Sequence, residues 1–255
     1  MALLQISHLP ETIKVNLPLN IIVPDPPALR QVPLSERKVL YLLHGLSDDA
    51  SGWQRYSSIE TVAAQYGLVV VMPSVGRSFY ADQPNGQLYF TYLTQELPLY
   101  LEQLFGLRPR RENTLIAGLS MGGYGAMKVA LHYPQRFAAA ASFSGALSLE
   151  ILNALPGDPR QAEFGHVFGD LSRLSGSEHD PALWIERVAA SGVPVPSLYV
   201  ACGRQDDLYR LSLHFKAMCE ARGWPVDYDE DDSGHVWPFW DRQIQRFLAR
   251  TLGGA

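Results

Sequence analysis

The chain of 255 residues is 47% hydrophobic and 18% charged, enough apolar residues for a sizeable core and too few charges for a disordered chain. Its net charge of -5 argues against a nucleic-acid partner, because phosphate binding needs clustered Lys and Arg. Residues 1–10 lack the basic and apolar regions of a signal peptide, and no apolar run approaches the roughly 18 residues of a membrane helix, so a soluble, cytoplasmic protein with no membrane partner is expected.

Taken in chain order, Ile13, Val15, Leu17, Leu19 and Ile21 alternate with other residues, the period of a half-buried strand, and predict an antiparallel edge hairpin. A proline-rich stretch, residues 24–33, separates it from residues 39–43, a nearly continuous apolar run as a strand buried on both faces requires. Ser57 and Glu60 form an S-x-x-E pattern that predicts a capped helix start, and Gly67 can close that helix. Residues 68–72 predict the next buried strand. Leu93, Leu97, Leu101 and Leu104 share one helical face ending at Gly106, and Pro98 within it predicts a kink. Residues 114–117 read as a strand that runs straight into a glycine-rich turn and a helix stopping before Pro134. Further strands are expected at 137–143, 198–202 and 226–228, and helices at 208–222 and from Pro238 to Leu252. Such alternation predicts a mostly parallel sheet with helices on both faces. Residues 148–192, with Gly157, Gly165, Gly169, Gly176 and Pro181, break the rhythm and read as a small insertion over the sheet, leaving residues 1–255 as a single domain. Cys202 and Cys219 form no CxxC pair and read as packing residues, in keeping with a reducing compartment.

Gly118-Leu119-Ser120-Met121-Gly122 is a G-x-S-x-G motif placed between a predicted strand and a predicted helix, the context of a nucleophile elbow and of the α/β-hydrolase fold. The bland alternative is a Gly/Ser turn, and a phosphate-binding turn is disfavoured because neither G-x-G-x-x-G nor a GK[ST] ending is present. A serine hydroxyl needs a base, and in this fold the order is Ser, then Asp or Glu, then His. Among the histidines that follow Ser120, His132 precedes any plausible acid, His166 and His179 fall in the insertion, and His214 lies mid-helix. His235 lies in a loop between the last strand and the last helix, where a base must sit to reach Ser120. The acid belongs just past the preceding strand, where Asp206 and Asp207 both qualify by position. For the oxyanion, the backbone N–H groups of Met121 and of Leu46, in the His44-Gly45-Leu46 turn after the first buried strand, are the candidate donors. No spacing of ligands points to a metal, and no cofactor motif is present.

These residues together resemble the esterase family that includes esterase D, also called S-formylglutathione hydrolase, and the bacterial tributyrin esterases, the latter most closely. The resemblance rests on residues 41–47 with Trp53, on residues 95–98, on residues 116–125 around Ser120, on 141–148, on 167–169, and on 234–237 with Trp240. It spans about residues 39–250. The family pattern Cys-Gly-x-x-Asp matches Cys202-Gly203-Arg204-Gln205-Asp206, which implies Asp206 as the acid, with Asp207 standing where the family has an aromatic residue. S-formylglutathione hydrolases carry Thr-Cys after His-Gly-Leu, and this chain departs from them with Ser47-Asp48. The resemblance implies hydrolysis of short-chain acyl esters as small-molecule substrates, without a cofactor. Trp53, Tyr80 and Trp237 are candidate walls of the substrate pocket, with Phe79 and Trp184 further candidates. An acyltransferase or a thioesterase would use the same triad, and a non-catalytic binding protein is a more distant reading. A homo-oligomer is compatible with the sequence.

Overall fold

The computed structural model describes residues 1–148 and 160–253. Eight strands form one sheet: β1 (Ala2–His8), β2 (Leu17–Val23), β3 (Val39–Leu43), β4 (Val69–Pro73), β5 (Thr114–Leu119), β6 (Ala139–Phe143), β7 (Ser197–Ala201) and β8 (Val226–Asp229). Their spatial order is β1-β2-β4-β3-β5-β6-β7-β8; only β2 runs against its neighbours, and β4 through β8 pair in parallel. β3, β4, β5 and β6 are buried along their whole length, which is why their sequences are unbroken apolar or small-residue runs rather than alternating ones.

Successive residues of these strands serve opposite faces. Val39, Tyr41, Leu43, Val69, Val71 and Ile116 join one core with α4 (Leu97–Phe105), α5 (Met121–His132), α7 (Pro181–Ser191) and α8 (Tyr209–Glu220). Leu40, Leu42, Val70, Met72 and Leu115 join the other, with α1 (Gly52–Tyr56), α2 (Ile59–Tyr66) and α9 (Trp237–Leu252). Phe239, Ile244, Phe247 and Leu248 of α9 are at most 1% exposed, and each such side chain contributes about 2 kcal/mol on burial, more than any helix propensity in that segment.

Two local expectations are revised, at the N-terminal hairpin and at Ser57, and two further segments are placed in detail. The N-terminal hairpin exists, but its strands are β1 and β2 with Ile13 and Val15 in the connection, so the apparent alternation from residue 13 straddled a turn. The expected capping box at Ser57 does not form: α2 starts after Ser58, whose amide and hydroxyl both bond to Asp241, while Glu60 accepts from Gln54 Nε2 at 2.8 Å. A tertiary partner has outcompeted the local cap. The helical run around Pro98 is continuous over residues 89–105: a short α3 (Tyr89–Thr91) passes into a π-turn (Tyr92–Glu96) and on into α4, so the wider turn falls just before the proline that interrupts the hydrogen-bond ladder. In the expected insertion, α6 (Gln161–Phe168) and α7 are described, with α7 packed on α5; residues 149–159, Gly157 included, lie outside the described residues.

Candidate active site

The ends of β5, β6, β7 and β8 line up across the sheet, with Leu119 opposite Phe143, Phe143 opposite Ala201 and Ala201 opposite Asp229. Chemistry-bearing residues follow three of these ends: Ser120 after β5, Asp206 after β7 and His235 after β8.

Ser120 sits in a turn so tight that its backbone is forced to φ 52° and ψ -117°, a conformation that costs a non-glycine residue roughly 1–3 kcal/mol. Packing holds it there. A Cβ at Gly118 would lie 2.3 Å from Gly122 O, and one at Gly122 would lie 2.4 Å from Leu43 O, so only glycine lets the strand, the turn and α5 approach this closely. Ser120 N–H donates to Phe143 O at 2.9 Å, and its carbonyl accepts from Tyr124 and Ala146 at 3.1 and 3.3 Å. These bonds tie down the backbone and leave the half-buried side chain without a capping bond to the helix it begins.

His235 Nδ1–H donates to Asp206 Oδ2 at 2.8 Å, which leaves Nε2 with its lone pair available. The loops that carry the two residues run side by side, continuing the β7–β8 ladder through Cys202 N–H to Asp229 O, Arg204 N–H to Asp231 O and Gln205 N–H to Ser233 O. The His235 side chain is 38% exposed and that of Asp206 is 0% exposed. Burial pushes the Asp206 carboxyl up, but hydrogen bonds from His235, from Leu208 N–H and from the Ser144 hydroxyl outweigh it and hold the group below the usual carboxylate range. Asp206 Oδ1 accepts from Leu208 N–H at 2.9 Å, so both carboxylate oxygens are engaged. Asp207 is exposed, and among the two aspartates only Asp206 meets the histidine.

On the other side of Ser120, the turn after β3 passes close enough that a Cβ on Gly45 would lie 3.8 Å from Ser120 Cβ. His44 locks this turn. Val75 N–H donates to its Nε2 at 3.0 Å, which makes Nδ1 the protonated nitrogen, and Nδ1–H donates to Gly45 O at 2.7 Å. Burial holds this imidazole below its ordinary pKa, against a smaller opposing pull from the Gly45 carbonyl, so it stays neutral and structural. Met121 is the first residue of α5, and its N–H therefore has no intrahelical acceptor. Leu46 N–H is likewise absent from the backbone hydrogen bonds of the described residues. Among the described residues, neither of these two amides, on the segments that flank Ser120, has a hydrogen-bond acceptor.

A family model described as "Putative esterase" matches residues 11–251. The chain belongs to this esterase family. It is 32% identical over 254 residues to an acetyl esterase of Caldicellulosiruptor saccharolyticus, with 96% of each chain covered. Among solved structures it is similar to FphF, a fluorophosphonate-binding serine hydrolase of Staphylococcus aureus, with a TM-score of 0.90, 32% identity and 98% of each chain covered. S-formylglutathione hydrolase FrmB of the same organism aligns with a TM-score of 0.87, also at 32% identity over 98% of each chain. The protein is a serine hydrolase of the esterase D-like family, with the α/β-hydrolase fold, and acts on carboxylic esters.

Within the esterase, the aromatic candidates divide. Trp53 and Tyr80 are 1% and 0% exposed, which removes them from any surface a substrate can touch. Trp53 Nε1–H donates to Leu43 O at 2.9 Å, and Tyr80 O–H donates to His44 O at 2.9 Å, so both brace the turn after β3. Phe79 and Trp184 are buried as well. Trp237 keeps partial exposure and stacks edge-on with Trp53 and Trp240, at 5.2 and 5.3 Å between ring centroids. Trp240 in turn lies edge-on to His235 at 4.9 Å and donates its Nε1–H to Ser144 Oγ at 3.0 Å.

Two features escaped the sequence reading. Ser144, buried just past β6 with φ 49°, fills the gap in the row between Ser120 and Asp206; the signal was its position after a strand flanked by two others that carry site residues. Residues 77–80 form a strut that touches both the turn after β3 and the start of α5. Arg77 Nη1 donates to Leu46 O at 3.5 Å, Phe79 N–H donates to Met121 Sδ at 3.3 Å, and Tyr80 O–H holds the His44 carbonyl. Phe79 and Tyr80 adopt φ 50° and 51°, rare for aromatic residues, and no local sequence pattern announces that. The strut also meets the insertion: Arg77 Nη2 donates to Glu163 Oε2 of α6 at 2.8 Å, and the Phe79 ring packs on Phe164 and Phe168.

Proposed function

We propose that the esterase hydrolyses short-chain acyl esters, tributyrin-like and acetyl esters included, through a Ser120–His235–Asp206 triad and a covalent acyl-enzyme. The observation that carries this reading is the His235–Asp206 pair at 2.8 Å, which orients Nε2 as the free basic nitrogen on the sheet edge that also bears Ser120. In the first half-reaction, Ser120 Oγ attacks the ester carbonyl carbon while His235 Nε2 takes the hydroxyl proton. Negative charge collects on the former carbonyl oxygen, and the amides of Leu46 and Met121 receive it; aligned dipoles at the start of α5 add to that stabilisation. The oxyanion then collapses, the C–O bond to the alcohol breaks, and the imidazolium returns its proton to the leaving alkoxide. Water repeats the sequence on the acyl-enzyme and releases the acid. Asp206, ionised and buried, holds the imidazole tautomer and stabilises the transient cation.

Trp237 is the aromatic wall in this reading, and residues 1–255 act as one catalytic unit with residues 160–192 beside the site. The free, buried Cys202 and Cys219 are compatible with a reducing, cytoplasmic setting. Asp48 favours neutral esters over glutathione thioesters. It lies in the oxyanion turn, with Oδ2 3.1 Å from where a Cβ on Gly45 would sit, and its charge opposes the carboxylates of glutathione. Burial is the chief influence that raises the pKa of this carboxyl, opposed by a hydrogen bond from the Gly45 backbone.

An acyl series of p-nitrophenyl esters tests the proposal directly. Rapid turnover is expected from acetate to butyrate, with a steep fall for long chains, and Ser120→Ala should show none. A fluorophosphonate should label Ser120 alone. Added alcohol acceptors that take most of the acyl group would instead make the protein an acyltransferase, and equal turnover of long chains would discard the short-chain assignment.

A further inference from the structure

Away from the catalytic edge, a cavity of about 630 Å³ opens between the π-turn with α4, the end of α5 and the first half of β5. Small-molecule sites commonly span about 300–1,000 Å³. Leu93, Ile116, Val129 and Phe137 wall it with apolar surface. Ile116 precedes Ser120 on the same strand by roughly 13 Å of extended chain, so this space is separate from the ester site.

Two polar groups of the cavity lack the partners their chemistry calls for. Tyr41 reaches in from β3; it is 3% exposed, and its buried hydroxyl has no hydrogen-bond partner. Burial raises the pKa of this phenol, against a weaker pull from the nearby Arg136 guanidinium, so it remains an O–H donor. Arg136 stands at the rim, over the Tyr133 ring at 4.2 Å, and donates to Thr94 O. That carbonyl is the one residue 98 would bond in an α-helix; Pro98 has no N–H to offer, and the guanidinium has taken its place. Among the described residues no carboxylate pairs with Arg136, whereas Arg108 on the same rim is compensated by Glu102 at 2.8 Å. The rim therefore carries one uncompensated positive charge above an apolar cavity that holds an idle hydroxyl donor. Guanidinium and phenol O–H together suit an anion with acceptor oxygens, and the walls suit an apolar tail. A π-turn on the wall is a further mark of a functional rather than a purely structural segment.

We propose that this cavity is a second ligand site, one that binds a small monocarboxylate with its apolar body against Leu93, Val129 and Phe137 and its carboxylate between Tyr41 Oη and the Arg136 guanidinium. This site does not depend on the catalytic reading. Octanoate is the probe, titrated by calorimetry into the Ser120→Ala protein and into wild type whose Ser120 has been phosphonylated, with 1-octanol in parallel. Saturable binding of octanoate is expected in both proteins. Tyr41→Phe and Arg136→Gln should each weaken octanoate by about tenfold or more and 1-octanol by less than about twofold. Tyr41→Phe keeps the ring, so the test survives if Arg136→Gln fails to fold. Loss of binding on phosphonylation would assign octanoate to the ester site and overturn the proposal. So would the absence of saturable binding, or an octanoate affinity unchanged by Tyr41→Phe, which would leave the Tyr41 hydroxyl as a host for buried water only.

Discussion

Asp206 and His235 leave the sheet from adjacent strands and meet through loops that hydrogen-bond to each other along their length, whereas Leu46 and Met121 belong to segments that meet around Ser120 and are braced by a third, residues 77–80. The first arrangement needs little beyond the ladder of β7 and β8. The second depends on two aromatic residues held at positive φ, a neutral histidine spanning two backbone groups and an indole N–H on the end of β3. In the proposed site, acid–base geometry is therefore set by neighbouring strands, while oxyanion geometry is set by long-range packing. The two halves should respond differently to substitution.

The acid–base half should show the largest effects. Ser120→Ala and His235→Ala are each expected to lower kcat on p-nitrophenyl butyrate by about 10⁴ or more, with melting temperature nearly unchanged. Asp206→Asn should cost about 10³–10⁴ because the wrong tautomer is then favoured, and Asp207→Asn less than about twofold. Comparable losses at the two aspartates would break the assignment of Asp206.

Effects on the oxyanion half should be smaller and confined to kcat. Tyr80→Phe removes only the bond to the His44 carbonyl, and a fall of about tenfold in kcat at nearly constant KM is expected, well short of the 10²–10³ lost with an oxyanion donor itself. Glu163→Gln, which weakens the clamp on Arg77, should lower kcat by about two- to threefold, since the pair is partly exposed. A change in KM without one in kcat would show that the strut shapes substrate binding instead.

The smallest expected effect is on stability and separates both halves from the α5–insertion contact. Burial first, then the positive charge of Lys128, brings His179 down to about 3; burial brings His132 down to about 4. Both histidines stay neutral in the folded chain while the unfolded chain takes up protons near 6.5, so stability should be full above about pH 6.5 and decline steadily toward pH 4. Thermal melts from pH 7 to 5 should show this decline, and His179→Gln should flatten it without altering kcat at pH 7. An unchanged slope would mean that His179 titrates much as it does in the unfolded chain.

Much of this was written locally. Apolar runs at 39–43 and 68–72, glycines at 67 and 106, and G-x-S-x-G between strand and helix each carry their meaning within a few residues, because strand burial, left-handed caps and tight turns are decided by neighbours in the chain. His235 was legible for the same reason, as the histidine in a loop after the last strand. Position alone left Asp206 and Asp207 unresolved; the resemblance chose between them, and in the folded chain one carboxylate faces inward to the imidazole while the other faces water.

Where the local reading failed, a partner distant in sequence had intervened. Asp241 took the amide and hydroxyl of Ser58, so α2 starts one residue later than the Ser57–Glu60 pattern announces, and Trp53 and Tyr80, pocket aromatics by type, were drawn against the turn after β3 by the carbonyls of Leu43 and His44. The amino-acid sequence by itself determined the order of strands and helices and which serine and histidine are the candidates for nucleophile and base, since these follow from periodicity and turn chemistry. Only the tertiary structure decided which polar groups are satisfied, which aromatics meet solvent and how residues 77–80 tie the turn after β3 to the start of α5, because hydrogen bonds and burial depend on neighbours that the chain supplies from far away.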